Sequence, residues 1–248
     1  MKMKKRIPVY LLLLVIFLCT FFAFSDQTIS NLETLIVENF DNPDSPQQWM
    51  VQGSEFIDKD KLKFEYVKTW PNALFGRNVE TKDLHSFGIQ AGFLRRGYNY
   101  LEIIPVKKSD DGTLQPSPIF LKGHVLSMDI WVWGSNYNYY LEAHILDSEG
   151  IPHTLNFGNL NFAGWKNLSA KVSLSIPQSK RHLLQDEQIQ LTKFVLWTRP
   201  QEKVDNFYVY LDQFKIMTDT YSLRFDGDEL ADKDYIKQLW QDKGGDNQ

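Results

Sequence analysis

The segment Lys166–Leu174 sets the pattern for much of the chain: Leu168, Ala170, Val172 and Leu174 alternate with Asn167, Ser169, Lys171 and Ser173. A period of two buries one face of an extended segment and wets the other, so this stretch reads as a half-buried strand. Comparable runs occur at Leu35–Phe40, Leu62–Val67, Phe87–Leu94, Tyr98–Ile104, Val125–Trp133, Tyr139–Leu146, Leu191–Trp197 and Phe207–Met217, with Gly, Pro, Asn and Asp clusters between them. Many short strands with almost no helical periodicity predict an all-β chain, folded as a β-sandwich of the jelly-roll type. An aromatic content of 14% suits that reading, because aromatic side chains favour the pleated surface of a strand. No repeat, long Gly/Ser linker or low-complexity run divides residues 26–220, which read as one domain.

The N-terminus obeys a different rule. Lys2, Lys4, Lys5 and Arg6 precede an apolar run from Val9 to Cys19, extended by Phe21, Phe22, Ala23 and Phe24. Ala23-Phe24-Ser25 then supplies a small-x-small end before Asp26. This is the layout of a secretory signal peptide spanning residues 1–25. Two alternatives stay open. The run approaches the roughly 20 apolar residues of a retained membrane anchor, and Cys19 is a conceivable lipid attachment point, although Leu18 is bulky and the apolar run continues past it.

Cleavage after Ser25 removes Cys19, the only cysteine, so the mature chain can form no disulfide and offers no thiol chemistry. It also removes four basic residues, taking the formal net charge from −4 to −8. An acidic exported protein of this kind argues against nucleic acid, or a membrane surface after signal cleavage, as a partner.

The two strands around Gly134 draw attention through both of their faces. Leu126, Met128, Ile130 and Val132 share one face of the first, and Tyr139, Leu141, Ala143 and Ile145 share one face of the second. A hairpin closed at Gly134-Ser135-Asn136-Tyr137 would match core residue to core residue. Its other face would gather Asp129, Trp131 and Trp133 beside Tyr140, Glu142 and His144. Three readings of this aromatic face stand together: a second layer of the protein's own core, a protein–protein contact, and a platform for sugars.

Residues 221–248 read as a tail. Asp232 can cap a short helix on which Ile236, Leu239 and Trp240 share a face with Tyr235. Such a helix is marginal alone and must dock, either on its own domain or on a neighbouring subunit. The segment Gly244–Gln248 reads as disordered.

Catalytic constellations are sparse. No G-x-S-x-G and no phosphate-binding glycine loop occurs, and the five histidines lack ligand spacing. The hairpin would place Asp129 beside Glu142, a conceivable acid pair for a hydrolase. Glu38, Asp41 and Asp212 form a second group, three oxygen ligands that would suit calcium if the first and last strands are neighbours. Beyond these the sequence offers no cofactor.

Six ordered blocks carry a resemblance. They are Gly97-Tyr98-Asn99-Tyr100-Leu101-Glu102-Ile103-Ile104-Pro105, Leu126–Gly134 with its Trp-Val-Trp-Gly, Asn138-Tyr139-Tyr140-Leu141-Glu142, the run from Gly158 to Leu168, Ile176-Pro177-Gln178-Ser179, and the run from Glu202 to Gln213. In this order the chain resembles the flagellar filament outer-layer (sheath) protein family, FlaA, of spirochaetes. The resemblance implies a non-enzymatic structural role. It implies export to the periplasm, coating of the flagellin core of a periplasmic flagellum, contact with other sheath subunits, and an influence on filament stiffness, curvature and motility. It brings no catalytic residues to transfer. The interface residues expected on this reading are Trp131, Trp133, Tyr140, Glu142, His144, Ile236, Leu239 and Trp240. Sandwiches of this strand pattern are also similar to carbohydrate-binding modules, so a periplasmic carbohydrate-binding module is the alternative.

Overall fold

The computed structural model describes residues 31–76, 83–109, 111–178, 188–220, 230 and 233–242. The expected leader with Cys19, the expected capping residue Asp232 and the terminal Gly244–Gln248 lie outside the described residues.

Thirteen strands and two short helices are described: β1 Leu32–Glu38, β2 Gln47–Gly53, β3 Lys63–Val67, α1 Asn72–Phe75, β4 Ser86–Ala91, β5 Tyr100–Lys108, β6 Leu114–Pro116, β7 Ile119–Phe120, β8 His124–Ser135, β9 Tyr140–Leu146, β10 Pro152–Asn159, β11 Ala163–Lys171, β12 Gln190–Trp197, β13 Phe207–Asp219 and α2 Lys233–Asp242. They form two antiparallel sheets. One runs β11-β8-β13-β4-β3 with β1 also on β13, and the other runs β10-β9-β12-β5-β2 with β6 on β5 and β7 on β12. The β-sandwich read from the sequence is the observed architecture.

The alternating apolar residues of both sheets meet between them. Phe194 of β12 is wholly buried and touches Trp49 at 5.7 Å, Phe157 at 6.1 Å and Phe214, from the facing sheet, at 5.1 Å between ring centroids. Met128, Ile130 and Val132 of β8 face this core from one side, and Leu141, Ala143 and Ile145 of β9 from the other.

That arrangement overturns the expected hairpin. β8 pairs with β11 and β13, whereas β9 pairs with β10 and β12 in the opposite sheet. Alternation identifies the face a residue occupies but not the strand beside it. Both strands bury the expected faces, across the sandwich rather than edge to edge. The link between them is held by residues 160–162: Asn136 N–H donates to Phe162 C=O and Leu160 N–H donates to Tyr139 C=O. Asn136 takes a positive φ of 64° in this crossing. Gly134 is required here, because a Cβ would stand 2.7 Å from the Phe162 carbonyl oxygen.

Two smaller differences have local causes. A register shift near Leu126 puts Val125 into the core and leaves Leu126 half-buried. Strand β11 ends at Lys171, so Leu174, expected inside, is 83% exposed. Strands β2 and β10, with the short β6 and β7, were not expected. Strand β2 has only the short apolar run Trp49–Val51 between glutamines, and β10 opens on Pro152 and has a register shift before Gly158.

One junction in the first sheet bears on the sites below. The edge of β13 pairs with β4 through Leu211 and with β1 from Phe214 onward. Asp212 and Gln213 occupy the gap, and Gln213 and Phe40 there both adopt positive φ, 46° and 58°.

Candidate functional site

The sandwich exposes an outer face on each sheet, and aromatic residues concentrate on both. On the first sheet Trp165, Trp133 and Tyr210 are direct register partners. Trp133 meets the Tyr210 ring edge-on at 5.4 Å, and Trp165 lies 6.4 Å from it. Trp131 stands opposite Asn167 on one side and Asp212 on the other. Its indole Nε1 is buried and finds no hydrogen-bond partner among the described residues.

On the second sheet Tyr140, Trp197 and Tyr100 lie in one register row across β9, β12 and β5. Trp197 sits 5.0 Å from Tyr100 and 6.2 Å from Tyr140, the latter pair of rings within 11° of parallel. Trp197 Nε1 donates to Glu142 Oε2 at 2.9 Å, and His144 Nε2 lies 3.5 Å from the same oxygen. The Arg199 guanidinium rests 4.9 Å above the Tyr140 ring and donates to Asn159 Oδ1 at 3.1 Å. Burial and then the Glu142 charge push the Tyr140 phenol upward, against the pull of Arg199. One row further, Lys193 pairs with Glu102.

The expected six-residue face is therefore split. Trp131 and Trp133 lie on one outer face, and Tyr140, Glu142 and His144 lie on the other. The acid pair goes with it: Asp129 accepts from Asn167 Nδ2 at 2.8 Å in the first sheet, while Glu142 is held by Trp197 in the second. Two carboxylates on opposite sides of a core cannot share a substrate, so the hydrolase reading built on that pair does not hold.

The calcium candidates meet only in part. β1 does pair with β13, as that reading needs, with Glu38 opposite Phe214. Yet Glu38 accepts from Phe40 N–H at 2.9 Å and from the Trp49 indole at 3.2 Å. Asp41 accepts from His85 N–H at 3.0 Å, and Asp212 Oδ2 lies 3.0 Å from Ser86 Oγ. Among the described residues no three carboxylate, histidine or cysteine side chains converge as a metal cage.

Helix α2 places Trp240 80% in solvent and leaves Leu239 exposed. Among the described residues no helix is long and apolar enough to cross a membrane.

Tyr98, Tyr100, Trp197 and Arg199 were not singled out from the sequence. A signal was present. Tyr98 and Tyr100 are two apart at the start of one strand run, and Trp197 and Arg199 two apart at the end of another, so each pair shares a face at a strand terminus.

Comparison with known proteins locates the chain among its relatives. A curated protein of Brachyspira hyodysenteriae (strain ATCC 49526 / WA1), described as flagellar filament outer layer-like, is 25% identical over 134 residues, covering 54% of this chain and 57% of that one. The chain thus matches little more than half the length of that relative. Among solved structures, TmCBM61 in complex with β-1,4-galactotriose is 14% identical over 68% of this chain and 86% of its own, with a TM-score of 0.36. A family 11 carbohydrate-binding module of a Clostridium thermocellum cellulase is 9% identical over 79% of this chain and 100% of its own, with a TM-score of 0.38. Scores at this level say nothing about ligands. The family of flagellar filament outer layer proteins FlaA matches residues 74–227, from α1 through the whole of β13. The resemblance carried by the six sequence blocks is thus a relationship over most of the sandwich, and the chain belongs to the flagellar filament outer layer protein FlaA family.

Proposed function

We propose that the mature chain is a coat subunit of a flagellar filament in the periplasm, packing on the flagellin core and on its own neighbours. The observation that carries this reading is family membership over residues 74–227. A leader of secretory layout agrees with it. So does a sandwich with aromatic residues on both outer faces, since aromatic anchors dominate protein interfaces.

A coat on a helical rod needs heterologous contacts that repeat without closing. Two outer faces on opposite sides of one sandwich suit such a subunit: one can meet the rod while the other meets a neighbour. Each contact can be weak, because many along one filament act together. The coat then stiffens and curves the filament, and through it influences motility. The role is adhesive and makes no covalent bond.

Immunogold labelling of isolated periplasmic filaments tests this directly. Continuous label along the filament is expected, and Trp240→Ala should lower the ratio of this protein to flagellin in such preparations. Absence of the protein from filaments would overturn the proposal.

A further inference from the structure

We infer that one end of the second sheet's outer face is a binding site for an acidic oligosaccharide. The register row of Tyr140, Trp197 and Tyr100 is extended by the chain beyond both strands. Thr198 N–H donates to Asn99 C=O at 2.8 Å, and Thr198 Oγ1 donates to Gly97 C=O at 2.9 Å. This continued pairing brings Arg199 alongside Tyr98, which is 66% exposed. A cavity of about 390 Å³ opens at this end, lined by Glu55, Phe56, Arg95, Arg96, Tyr98 and Tyr100 among others. That volume falls within the range of small-molecule clefts.

Two guanidiniums near the cavity are already fixed. The Arg95 guanidinium lies over the Phe56 ring, 3.3 Å from its centroid. Arg199 is held between the Tyr140 ring and Asn159. Groups immobilised before binding lose less entropy when a ligand arrives. With Arg96 they make three arginines at one end of this face, in a chain whose formal net charge is −4. Glu55 is the carboxylate among the cavity-lining residues, and Glu142 nearby is engaged by the Trp197 indole. Planar guanidiniums match carboxylates in two-point contacts, so the charge selects an anionic ligand.

The aromatic row selects a sugar among anionic ligands. A pyranose offers an apolar C–H face that packs on an aromatic ring and a rim of hydroxyls for planar polar groups. The rings follow one another 5.0 Å apart at a 56° tilt and 6.2 Å apart within 11° of parallel, so successive sugar units each find aromatic carbon to pack on. An acidic peptide would satisfy the arginines and leave that row without a matched partner.

The test uses the purified mature chain without filaments, so its outcome is independent of the coat role. Tryptophan fluorescence and calorimetry follow titration with tetragalacturonate, with the neutral tetrasaccharide of galactose, and with a glutamate-rich peptide. A saturable response to tetragalacturonate, weakened by salt, is expected. Tyr98→Ala and Arg96→Ala, both at exposed positions, should each weaken it about tenfold or more with an unchanged melting curve. No saturable response to tetragalacturonate overturns the inference, as does equal binding of the neutral sugar or binding of the peptide alone.

Discussion

Gln178 acts as a strand residue through its side chain. Val125 N–H donates to Gln178 Oε1 at 2.7 Å, and Gln178 Nε2 donates back to Val125 C=O at 2.8 Å. Both residues are buried. The need arises because β11 ends at Lys171 and its last ladder contact beyond that end is Val172 N–H to Leu126 C=O. The chain then turns at Ser173–Ile176, and the Gln178 amide takes up the backbone groups of β8 that a longer β11 would have satisfied. One of the six family-like blocks, Ile176-Pro177-Gln178-Ser179, thereby acquires a structural reason.

Replacing Gln178 with Leu should accordingly be costly. It leaves a buried donor and a buried acceptor of Val125 unpaired, each worth about 1–3 kcal/mol when unsatisfied. A loss of about 2–4 kcal/mol in urea unfolding is expected, whereas Gln90→Leu, at a half-buried position, should cost less than about 1 kcal/mol.

The sheet assignment of β8 can be checked by cross-linking, because residues 31–248 contain no cysteine. Asp129 and Ser169 are antiparallel partners, a spacing of about 4.5–5.5 Å between Cα atoms that falls within disulfide range. Asp129→Cys with Ser169→Cys should oxidise to an intramolecular bond, seen as a mobility shift reversed by reductant. Asp129→Cys with Glu142→Cys should not, since the whole core lies between them. Efficient closure of the second pair would restore the hairpin and overturn the two-sheet placement.

This contrast shows where the sequence was informative. Side-chain alternation at Met128–Val132 and Leu141–Ile145 named the core residues of both strands, because burial acts on each residue locally. It could not say that the strands part company, since that choice rests on Asn136 in a left-handed conformation and on backbone bonds to residues 160–162, far along the chain. The same gap scattered the candidate site. Trp131 and Tyr140 were recognised as outward-facing aromatics, but the partners of Tyr140, namely Trp197 and Tyr100, come from strands that only the sheet order brings beside it. The register shift at Leu126 was illegible for a related reason: it depends on a neighbour's hydrogen bonds rather than on a hydrophobic period.

Trp240 and Trp131 should separate under substitution although both were expected at interfaces. Trp240 is 80% exposed, so Trp240→Ala should leave stability within about 0.5 kcal/mol of the parent and act only on assembly. Trp131 is half-buried with a buried indole nitrogen, and its truncation removes packing around Asp212 and Asn167. Trp131→Ala should lower stability by about 1–3 kcal/mol. Thermal melts of the two soluble variants provide the comparison, and equal melting temperatures would remove the distinction.

Asp212 should make the stability of the sandwich depend on pH. It is 1% exposed, and its Oδ1 accepts no hydrogen bond among the described residues. Burial, reinforced by the Asp41 charge and opposed by Ser86 and Lys215, pushes its carboxyl from the ordinary 3.8 up to about 7. Geometry agrees: Ser86 Oγ lies 2.7 Å from Thr69 C=O and 3.0 Å from Asp212 Oδ2, and its single proton cannot serve both. A protonated Asp212 donates to Ser86, which is then free to donate to Thr69. The sign follows from comparing the two states. Below about pH 4 the folded and unfolded chains both hold the proton and the group contributes nothing. Between there and pH 7 only the folded chain holds it, so rising pH favours unfolding by up to about 1.4 kcal/mol per unit. Above the folded value the penalty is complete. Asp212→Asn stays neutral throughout and should abolish this part of the slope, so that the variant equals or exceeds the parent in melting temperature at pH 8 and loses its advantage toward pH 4. Melts of both proteins from pH 4 to 8 decide the matter. Parallel profiles would mean that Asp212 does not titrate in this window.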